Sequence, residues 1–147
     1  KGGFSTKSVV NKGAKFKGEV ASTNECYTYV FASDENNQCA VLFPYTEKHS
    51  PYCGITGTRL FPKDYSMEVD NIGNKDYMAI LVTKSPIDYK TLNASVNKQS
   101  GSYEQKLRSA LGNKLKSNIQ FNEGETIGFN TALSGEEAVL MVIEVNK

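Results

Sequence analysis

The pattern of apolar and polar positions is clearest over residues 26–44, where two runs rich in β-branched and aromatic residues flank a polar cluster at residues 34–37. Such an arrangement predicts a β-hairpin. With residues 34–37 as the turn, Val30 lies opposite Val41. Because both faces then carry large apolar groups, we expect this hairpin at the centre of a sheet, covered on both sides. One face holds Thr28, Val30, Val41 and Phe43, and the other holds Tyr27, Tyr29, Phe31 and Leu42.

Further strand signals occur along the chain. Residues 76–83 are almost entirely apolar in the middle of the run, which is typical of a strand buried on both faces. Residues 126–133 and 138–145 are separated by a Ser-Gly-Glu turn signal. Together they predict a hairpin that closes the chain.

The periodicity changes to that of a helix after residue 84. Ser85 offers an N-cap hydroxyl, Pro86 occupies the first helical position, and apolar residues follow at helical spacing. A second capping signature begins at Ser102 and leads into another apolar stripe. We expect this helix to fray or end near Gly112, since glycine weakens a helix interior. We therefore predict two short helices. Their apolar positions are Tyr89, Leu92 and Val96, and then Tyr103, Leu107, Ala110, Leu111 and Leu115.

This order of elements predicts a mainly β fold. We expect an antiparallel β-sandwich, immunoglobulin-like or similar, with the two short helices inserted before the last hairpin and capping one open end or edge. The 147 residues fit a single β-rich domain, 1–147. A chain of this length can bury a core without a metal or a disulfide.

Composition and charge narrow the classes of partner. The 39% hydrophobic and 22% charged fractions are ordinary for a globular protein. A formal net charge of +1 argues against a dedicated nucleic-acid-binding protein, which concentrates Lys and Arg on one face. No apolar run approaches the roughly 20 residues of a membrane span. Because the chain begins with Lys1 rather than Met, the sequence leaves open whether a leader or an upstream domain precedes it.

Three cysteines, Cys26, Cys39 and Cys53, allow either one disulfide with one remaining thiol or three thiols. In the predicted hairpin Cys26 and Cys39 are not opposite each other, so a bond between them would be strained. The pair of Cys26 and Cys53 is favoured, because the segment after Pro44 can fold back over the start of the hairpin. Both states stay open at this point.

Residues 27–44 also carry a resemblance to a known family. A Tyr-x-Tyr-x-Phe strand is followed there by Leu-Phe-Pro, and the later segments Leu60-Phe61-Pro62 and Ser85-Pro86 complete the combination. With these motifs the chain resembles a bacterial domain-of-unknown-function family. The likeness covers residues 15–87 or so, which leaves 88–147 as an extension.

Members of that family look like accessory modules of exported or envelope-associated bacterial proteins. The resemblance therefore implies a periplasmic or cell-surface location and implies no catalytic residue. Where the family has an Asn-rich loop after Leu-Phe-Pro, this chain has the longer segment Tyr45–Gly57. The resemblance therefore does not assign the function of the family's loop to this segment.

The segment Tyr45–Gly57 is the longest one without periodicity. Long irregular segments in compact domains are often functional, or are packed against the body. Aromatic side chains next to hydrogen-bonding groups suit carbohydrate or peptide recognition. The candidate ligand-binding residues are Tyr45, His49, Tyr52 and Arg59. The alternative is that Tyr45 and Tyr52 only anchor the loop on the sheet.

Catalysis has one candidate pair, Cys53 with His49, the single histidine of the chain. A thiol hydrolase needs an imidazole that lowers the pKa of the thiol and a further group that orients the ring. No family signature surrounds Cys53. The Cys-x-x-Cys spacing typical of zinc sites does not occur, and Gly54–Gly57 lacks the lysine of a phosphate-binding loop. We therefore predict no catalytic residue, no metal ligand and no cofactor.

The sequence thus predicts a non-catalytic binding or assembly module of a bacterial exported or envelope protein. It would act through a sheet edge or through the Tyr45–Gly57 loop, with a protein or a cell-envelope component as partner and without binding nucleic acid. One alternative is a thiol-dependent hydrolase that uses Cys53 and His49. Another is a surface glycan-binding module in which Tyr45 and Tyr52 lie side by side.

Overall fold

A computed structural model gives the fold and describes residues 3–5, 13, 15–16, 18–22, 25–36, 38–44, 46–53, 57–61, 67–68, 73–122 and 127–147. These residues form a mainly β structure with antiparallel sheets and two α-helices. The strands are β1 (Gly3–Ser5), β2 (Lys15–Phe16), β3 (Gly18–Ser22), β4 (Cys26–Asp34), β5 (Cys39–Phe43), β6 (Tyr52–Cys53), β7 (Gly57–Phe61), β8 (Met67–Glu68), β9 (Lys75–Thr83), β10 (Phe121–Asn122), β11 (Gly128–Phe129) and β12 (Ala138–Asn146). The helices are α1 (Tyr89–Lys98) and α2 (Tyr103–Leu111), and α2 runs into a 3-10 turn at Gly112–Lys114.

The main sheet is built on three long apolar strands, β4, β9 and β12. The strand order is β1-β12-β9-β4-β5, and β6 also pairs with β4. Apart from β1, which is parallel to β12, the neighbours are antiparallel. In this register Leu81 lies opposite Leu140 on one side and Tyr29 on the other. The prediction of a buried strand at residues 76–83 is confirmed, and that strand is the middle of the sheet.

Helices α1 and α2 cover one face of this sheet, and the main core lies between the two layers. The stripe predicted for the second helix is confirmed: Tyr103, Leu107 and Leu111 are buried, and Ala110 and Leu115 pack half-buried against the same core. None of the described helices is long and apolar enough to cross a membrane. The buried residues of this core are Tyr29, Phe31, Ala79, Leu81, Val96, Tyr103, Leu107, Leu111, Ala138, Leu140 and Val142.

The hairpin of β4 and β5 is present, but its predicted register is wrong. Val41 lies opposite Phe31 instead of Val30, and Val30 pairs with Phe43 beyond an irregularity in the ladder. A shift of one residue moves side chains to the other face of a sheet. Val41 therefore packs against the helix-facing core, while Leu42 packs on the opposite face with Val30 and Phe43.

The cause of the shift is the turn, which contains one residue more than predicted. Ser33 and Cys39 are the last paired residues, so the turn spans residues 34–38. The carboxylate of Asp34 accepts the backbone N–H groups of Asn36 at 2.9 Å and Gln38 at 3.1 Å. An aspartate that binds the backbone ahead of it in this way replaces the tighter turn.

The predicted terminal hairpin of residues 126–133 and 138–145 is also wrong. Strand β12 pairs with β9 along its whole length, and β11 pairs with β10. The Ser134–Glu137 turn does form, with the Glu137 N–H donating to the Ser134 carbonyl at 3.1 Å. The run that forms β12 is apolar on both faces, and both faces are covered better inside the main sheet than beside a short strand. The turn therefore joins β11 and β12, which pair with different strands.

The first helix begins three residues later than its N-cap signal predicted. Asp88 is the N-cap, and its carboxylate accepts the Thr91 N–H at 3.1 Å. The hydroxyl of Ser85 instead donates to the Gly135 carbonyl at 2.9 Å. The Ile87 N–H donates to the Tyr29 phenol oxygen at 3.0 Å, which holds the chain outside the helix until Asp88. The capping box predicted at Ser102 is confirmed, with Gln105 as its second member.

The face of the main sheet opposite the helices carries two smaller buried clusters. One consists of Val30 and Phe43. The other contains Cys26, Cys53, Val82 and Met141, and apolar residues of the β10–β11 region pack against it. The rings of Phe121 and Phe129 meet there edge to face, 5.8 Å between centroids. The short β10–β11 ribbon thus covers part of this face.

Tyr103 on α2 offers a direct test of the packing between helix and sheet. Its phenol oxygen is buried and has no hydrogen-bond partner among the described residues, and burial raises its pKa. We expect Tyr103→Phe to raise the free energy of unfolding by up to about 1 kcal/mol, because it removes a buried hydroxyl that lacks a partner. Urea denaturation measures the change.

Tyr29→Phe is the matched control for this measurement. Tyr29 is equally buried, but its phenol oxygen accepts the Ile87 N–H. Its removal leaves that N–H without its acceptor, and we expect a loss of roughly 1–3 kcal/mol. Equal losses in the two variants would contradict the contacts described for both phenols.

Candidate functional site

The described part of the predicted loop begins with a tight turn. The His49 N–H donates to the Thr46 carbonyl at 3.1 Å, and the Lys48 N–H donates to Thr46 Oγ1 at 3.2 Å. The same Oγ1 lies 2.6 Å from His49 Nδ1. A threonine hydroxyl that binds nearby backbone in this way stabilises a turn. The imidazole of His49 is thus part of the turn that shapes the loop.

The turn is tied to helix α1 by an ion pair between Glu47 and Lys90. The hydrogen bond from Lys90 and its charge lower the pKa of the Glu47 carboxyl, and the same bond, donated to Glu47, raises the pKa of Lys90. Both side chains are mostly exposed, at 76% and 60%. An exposed pair contributes little to stability, so its effect is to orient the turn toward the helix.

Tyr52 follows the turn as the first residue of β6. The Ser50 hydroxyl accepts the Tyr52 N–H at 3.1 Å, which directs the chain into the strand. The ring of Tyr52 meets that of Tyr27, its partner in the ladder, edge to face at 5.6 Å and 65°. Its phenol donates to Glu25 Oε1 at 2.8 Å. We call the group of Glu25, Tyr27 and Tyr52 the Tyr52 surface.

The Tyr52 surface combines an exposed ring with a carboxylate. Tyr52 is 39% exposed. Among the side chains that the structure describes, it is the large apolar one that is exposed to solvent. The hydrogen bond to Glu25 raises the pKa of Tyr52 above its ordinary value, so the phenol remains a donor at neutral pH. A ring held at its edge by a neighbour and at its tip by a carboxylate can receive an apolar face of a ligand, while the carboxylate accepts its N–H or O–H groups.

The four predicted ligand-binding residues have different outcomes. Tyr52 is exposed and held in place as described above, and His49 lies in the adjoining turn. Arg59 lies in β7, opposite Val20 of β3, but its side chain is outside the described residues. Tyr45 is also outside them, so its predicted place beside Tyr52 stays a prediction.

Sequence reasoning missed Glu25 and the contact of Tyr27 with Tyr52. The alternation in β4 does place Tyr27 on the same face as Tyr29. The register that brings residue 52 opposite residue 27 depends on the intervening turn and loop, and no local pattern reveals it. Glu25 precedes the strand and carries no sequence signal beyond its charge.

Cys53 and His49, the two residues considered for catalysis, have different hydrogen-bond partners. The Cys53 thiol is 1% exposed and donates to Thr28 Oγ1 at 3.5 Å, on the face opposite to Tyr27 and Tyr52. His49 Nδ1 instead contacts Thr46. A nucleophile must reach its substrate, so this position of Cys53 gives the hydrolase hypothesis no support. Within the described residues, no group of three His, Cys, Asp or Glu side chains could hold a metal ion.

The sheet edge at β5, the other predicted binding element, is already occupied at Cys39. The Cys39 N–H donates to Asn97 Oδ1 at 3.3 Å, and the side-chain amides of Asn93 and Asn97 donate to the Cys39 carbonyl at 3.2 Å each. An edge strand whose outward backbone groups are bonded to a helix is protected against pairing with another chain. Of the two predicted elements, the loop is therefore favoured over this edge.

A cleft of about 360 Å³ lies between α2, the segment after it and β12. Its lining includes the apolar side chains of Phe121 and Val139 and the cations Arg108 and Lys116. Both cations have partners, since Arg108 pairs with Glu104 at 2.9 Å and Lys116 donates to the Ala132 carbonyl. Among the described residues that line this cleft, the charged side chains thus already have partners.

Comparison of the chain with family models, with curated proteins and with solved structures found no match.

Proposed function

We propose that this chain is a non-catalytic binding or assembly module of a bacterial exported protein and that it binds a protein or envelope component through the Tyr52 surface. The observation that carries the proposal is the exposed Tyr52 ring, held by Tyr27 and by Glu25 in one orientation. A rigid exposed aromatic side chain buries large area on binding and loses little conformational entropy. The resemblance to envelope-associated accessory domains supports the proposed location.

The surroundings of Tyr52 favour recognition over anchoring. An anchoring tyrosine places its ring in the core, whereas the ring of Tyr52 stays exposed. The Thr46 hydroxyl shapes the turn, the exposed Glu47–Lys90 pair orients it, and the backbone of β6 pairs with β4. The contacts of Tyr52 with Tyr27 and Glu25 fix its orientation, and its exposed part is available to a ligand.

The proposal is tested by co-sedimentation of the purified chain with bacterial envelope fractions, separated into membranes and insoluble cell-wall glycan. We expect the wild-type chain to sediment with one of the fractions and Tyr52→Ala to lose at least about tenfold in affinity, since an aromatic anchor at an interface typically contributes more than 1 kcal/mol. Tyr52→Phe, which keeps the ring and loses the bond to Glu25, should lie between the two.

Glu47→Gln is the control variant, because it breaks the ion pair with Lys90 and leaves the Tyr52 surface intact. It should bind as the wild type does. Binding that is unchanged in Tyr52→Ala would overturn the proposal. Sedimentation with the cell-wall glycan alone would favour the glycan-binding alternative, and a glycan array would then identify the sugar.

The finer fold assignment is proposed on a separate observation. Val30 and Phe43 are buried on the sheet face opposite the helices, although the partly buried residues packed against them belong to the same sheet. We propose that the paired strands β3 with β7 and β2 with β8 supply the second layer of a sandwich over this face. A buried apolar face requires such cover.

A further inference from the structure

We propose that Cys26 and Cys53 form a disulfide when the protein meets an oxidant of the disulfide class, and that this bond locks β6 onto β4. The inference rests on the placement of these two cysteines in the sheet. It does not depend on what the Tyr52 surface binds. Among the described residues the three cysteines are thiols in this structure.

The first support is the register, in which Cys26 lies directly opposite Cys53. Two positions along the same ladder, the Thr28 N–H donates to the Pro51 carbonyl at 2.9 Å. Bonded and non-bonded pairs alternate in an antiparallel ladder, so the two cysteines occupy a hydrogen-bonded pair. The Cα atoms of such a pair lie about 5.5 Å apart, within the range of roughly 4.4–6.8 Å that disulfides require.

The second support is that both side chains point the same way. Residues directly opposite each other in a sheet project to the same face, and Cys26 and Cys53 belong to one buried cluster with Val82 and Met141. Cys39 differs from them, because it packs against the core under the helices and its thiol donates to Ser33 Oγ at 3.7 Å. The fold therefore brings together one pair among the three thiols.

An oxidant can reach the buried thiols of Cys26 and Cys53 because β6 is a short strand that opens locally. The strand has two residues, and Pro51 next to it has no N–H to donate to β4. A two-residue strand opens locally at a lower free-energy cost than the nine-residue strands of the sheet, and in the closed state Tyr52 keeps its contacts with Tyr27 and Glu25. Such opening exposes the thiols without global unfolding.

The chemistry is thiol–disulfide exchange with a low-molecular-weight disulfide such as glutathione disulfide. One cysteine, as its thiolate, attacks a sulfur of the oxidant, whose S–S bond breaks and releases one thiol. The second cysteine then attacks the mixed disulfide, and the second thiol leaves. Cys26 and Cys53 together lose two electrons and two protons, and the oxidant gains both.

The test uses the Cys39→Ser variant, which leaves the pair untouched and removes the third thiol. The folded variant is equilibrated with glutathione disulfide, alkylated and digested with trypsin, which places Cys26 in peptide 18–48 and Cys53 in peptide 49–59. We expect a linked 18–48/49–59 species in the monomer and a rise in the melting temperature on the order of 5–10 °C. Both should be reversed by dithiothreitol.

Cys26→Ala is the second variant and should give no linked species within one chain. Full alkylation of both thiols in the oxidised, folded Cys39→Ser chain would overturn the proposal. So would linkage found only between two chains, or a linked species in the wild type that requires Cys39.

Discussion

Leu81→Ala is expected to lower the free energy of unfolding by roughly 2–5 kcal/mol, which is the range for a large buried aliphatic side chain cut to alanine. Leu81 has no exposed surface and lies in the middle strand, between Tyr29 and Leu140 in neighbouring strands. The helices pack over the same cluster. Since the site is enclosed by long strands and two helices, the cavity can collapse only in part. Chemical denaturation of the purified chain measures the loss.

The control for this variant is Leu92→Ala on α1. Leu92 is half-buried against the same core, so the identical substitution removes less buried area. We expect a loss of about 1 kcal/mol. A Leu81→Ala variant that is no less stable than Leu92→Ala would mean that β9 is not the centre of the core.

Asp76→Ala is expected to lower the free energy of unfolding by about 3 kcal/mol, because it removes the carboxylate that pairs with a buried ammonium. The side chain of Lys147 has no exposed surface, and its Nζ lies 2.9 Å from Asp76 Oδ1. The backbone of Lys147 is also bound, since its N–H donates to the Asn74 carbonyl at 2.9 Å. Both the side chain and the backbone of Lys147 are thus held in place. Thermal and urea denaturation give the difference in stability.

Glu144→Ala on the adjoining strand is a close comparison. Glu144 pairs with Lys75 at the same distance of 2.9 Å, but these side chains are 33% and 44% exposed. An exposed pair of this kind is worth about 0–1 kcal/mol. Similar losses in Asp76→Ala and Glu144→Ala would contradict the burial of Lys147.

Local patterns in the sequence predicted elements better than their partners. The long apolar run at residues 76–83 and the capping box at Ser102 depend on neighbours along the chain, and both predictions are confirmed. The partner of β12 depends on which other strand can cover a run that is apolar on both faces, and this competition is decided across the whole sheet. The Asp34 carboxylate changed the hairpin register through two backbone bonds, which a count of turn residues does not reveal.

The candidate site was also predictable only in part, because local patterns reveal its loop but not the residues that pair with it. The loop signal pointed to Tyr52 and His49, because irregular segments rich in aromatics stand out from periodic ones. The partners of Tyr52 are Tyr27 in the first strand of the hairpin and Glu25 just before that strand. Both are far from Tyr52 along the chain, and only the folded register brings them together. The favoured cysteine pair followed from the expected fold-back of the loop, and Cys26 and Cys53 are indeed opposite each other.

The most direct test of the proposed binding surface is site-specific photocrosslinking with the envelope fraction that the chain sediments with. A benzophenone side chain replaces Ser50, which is exposed beside Tyr52, or Asn113, which is exposed after α2. We predict a discrete adduct from position 50 that unlabelled wild-type chain competes away, and little adduct from position 113. Equal adducts from both positions, or an adduct from position 113 alone, would contradict binding through the Tyr52 surface.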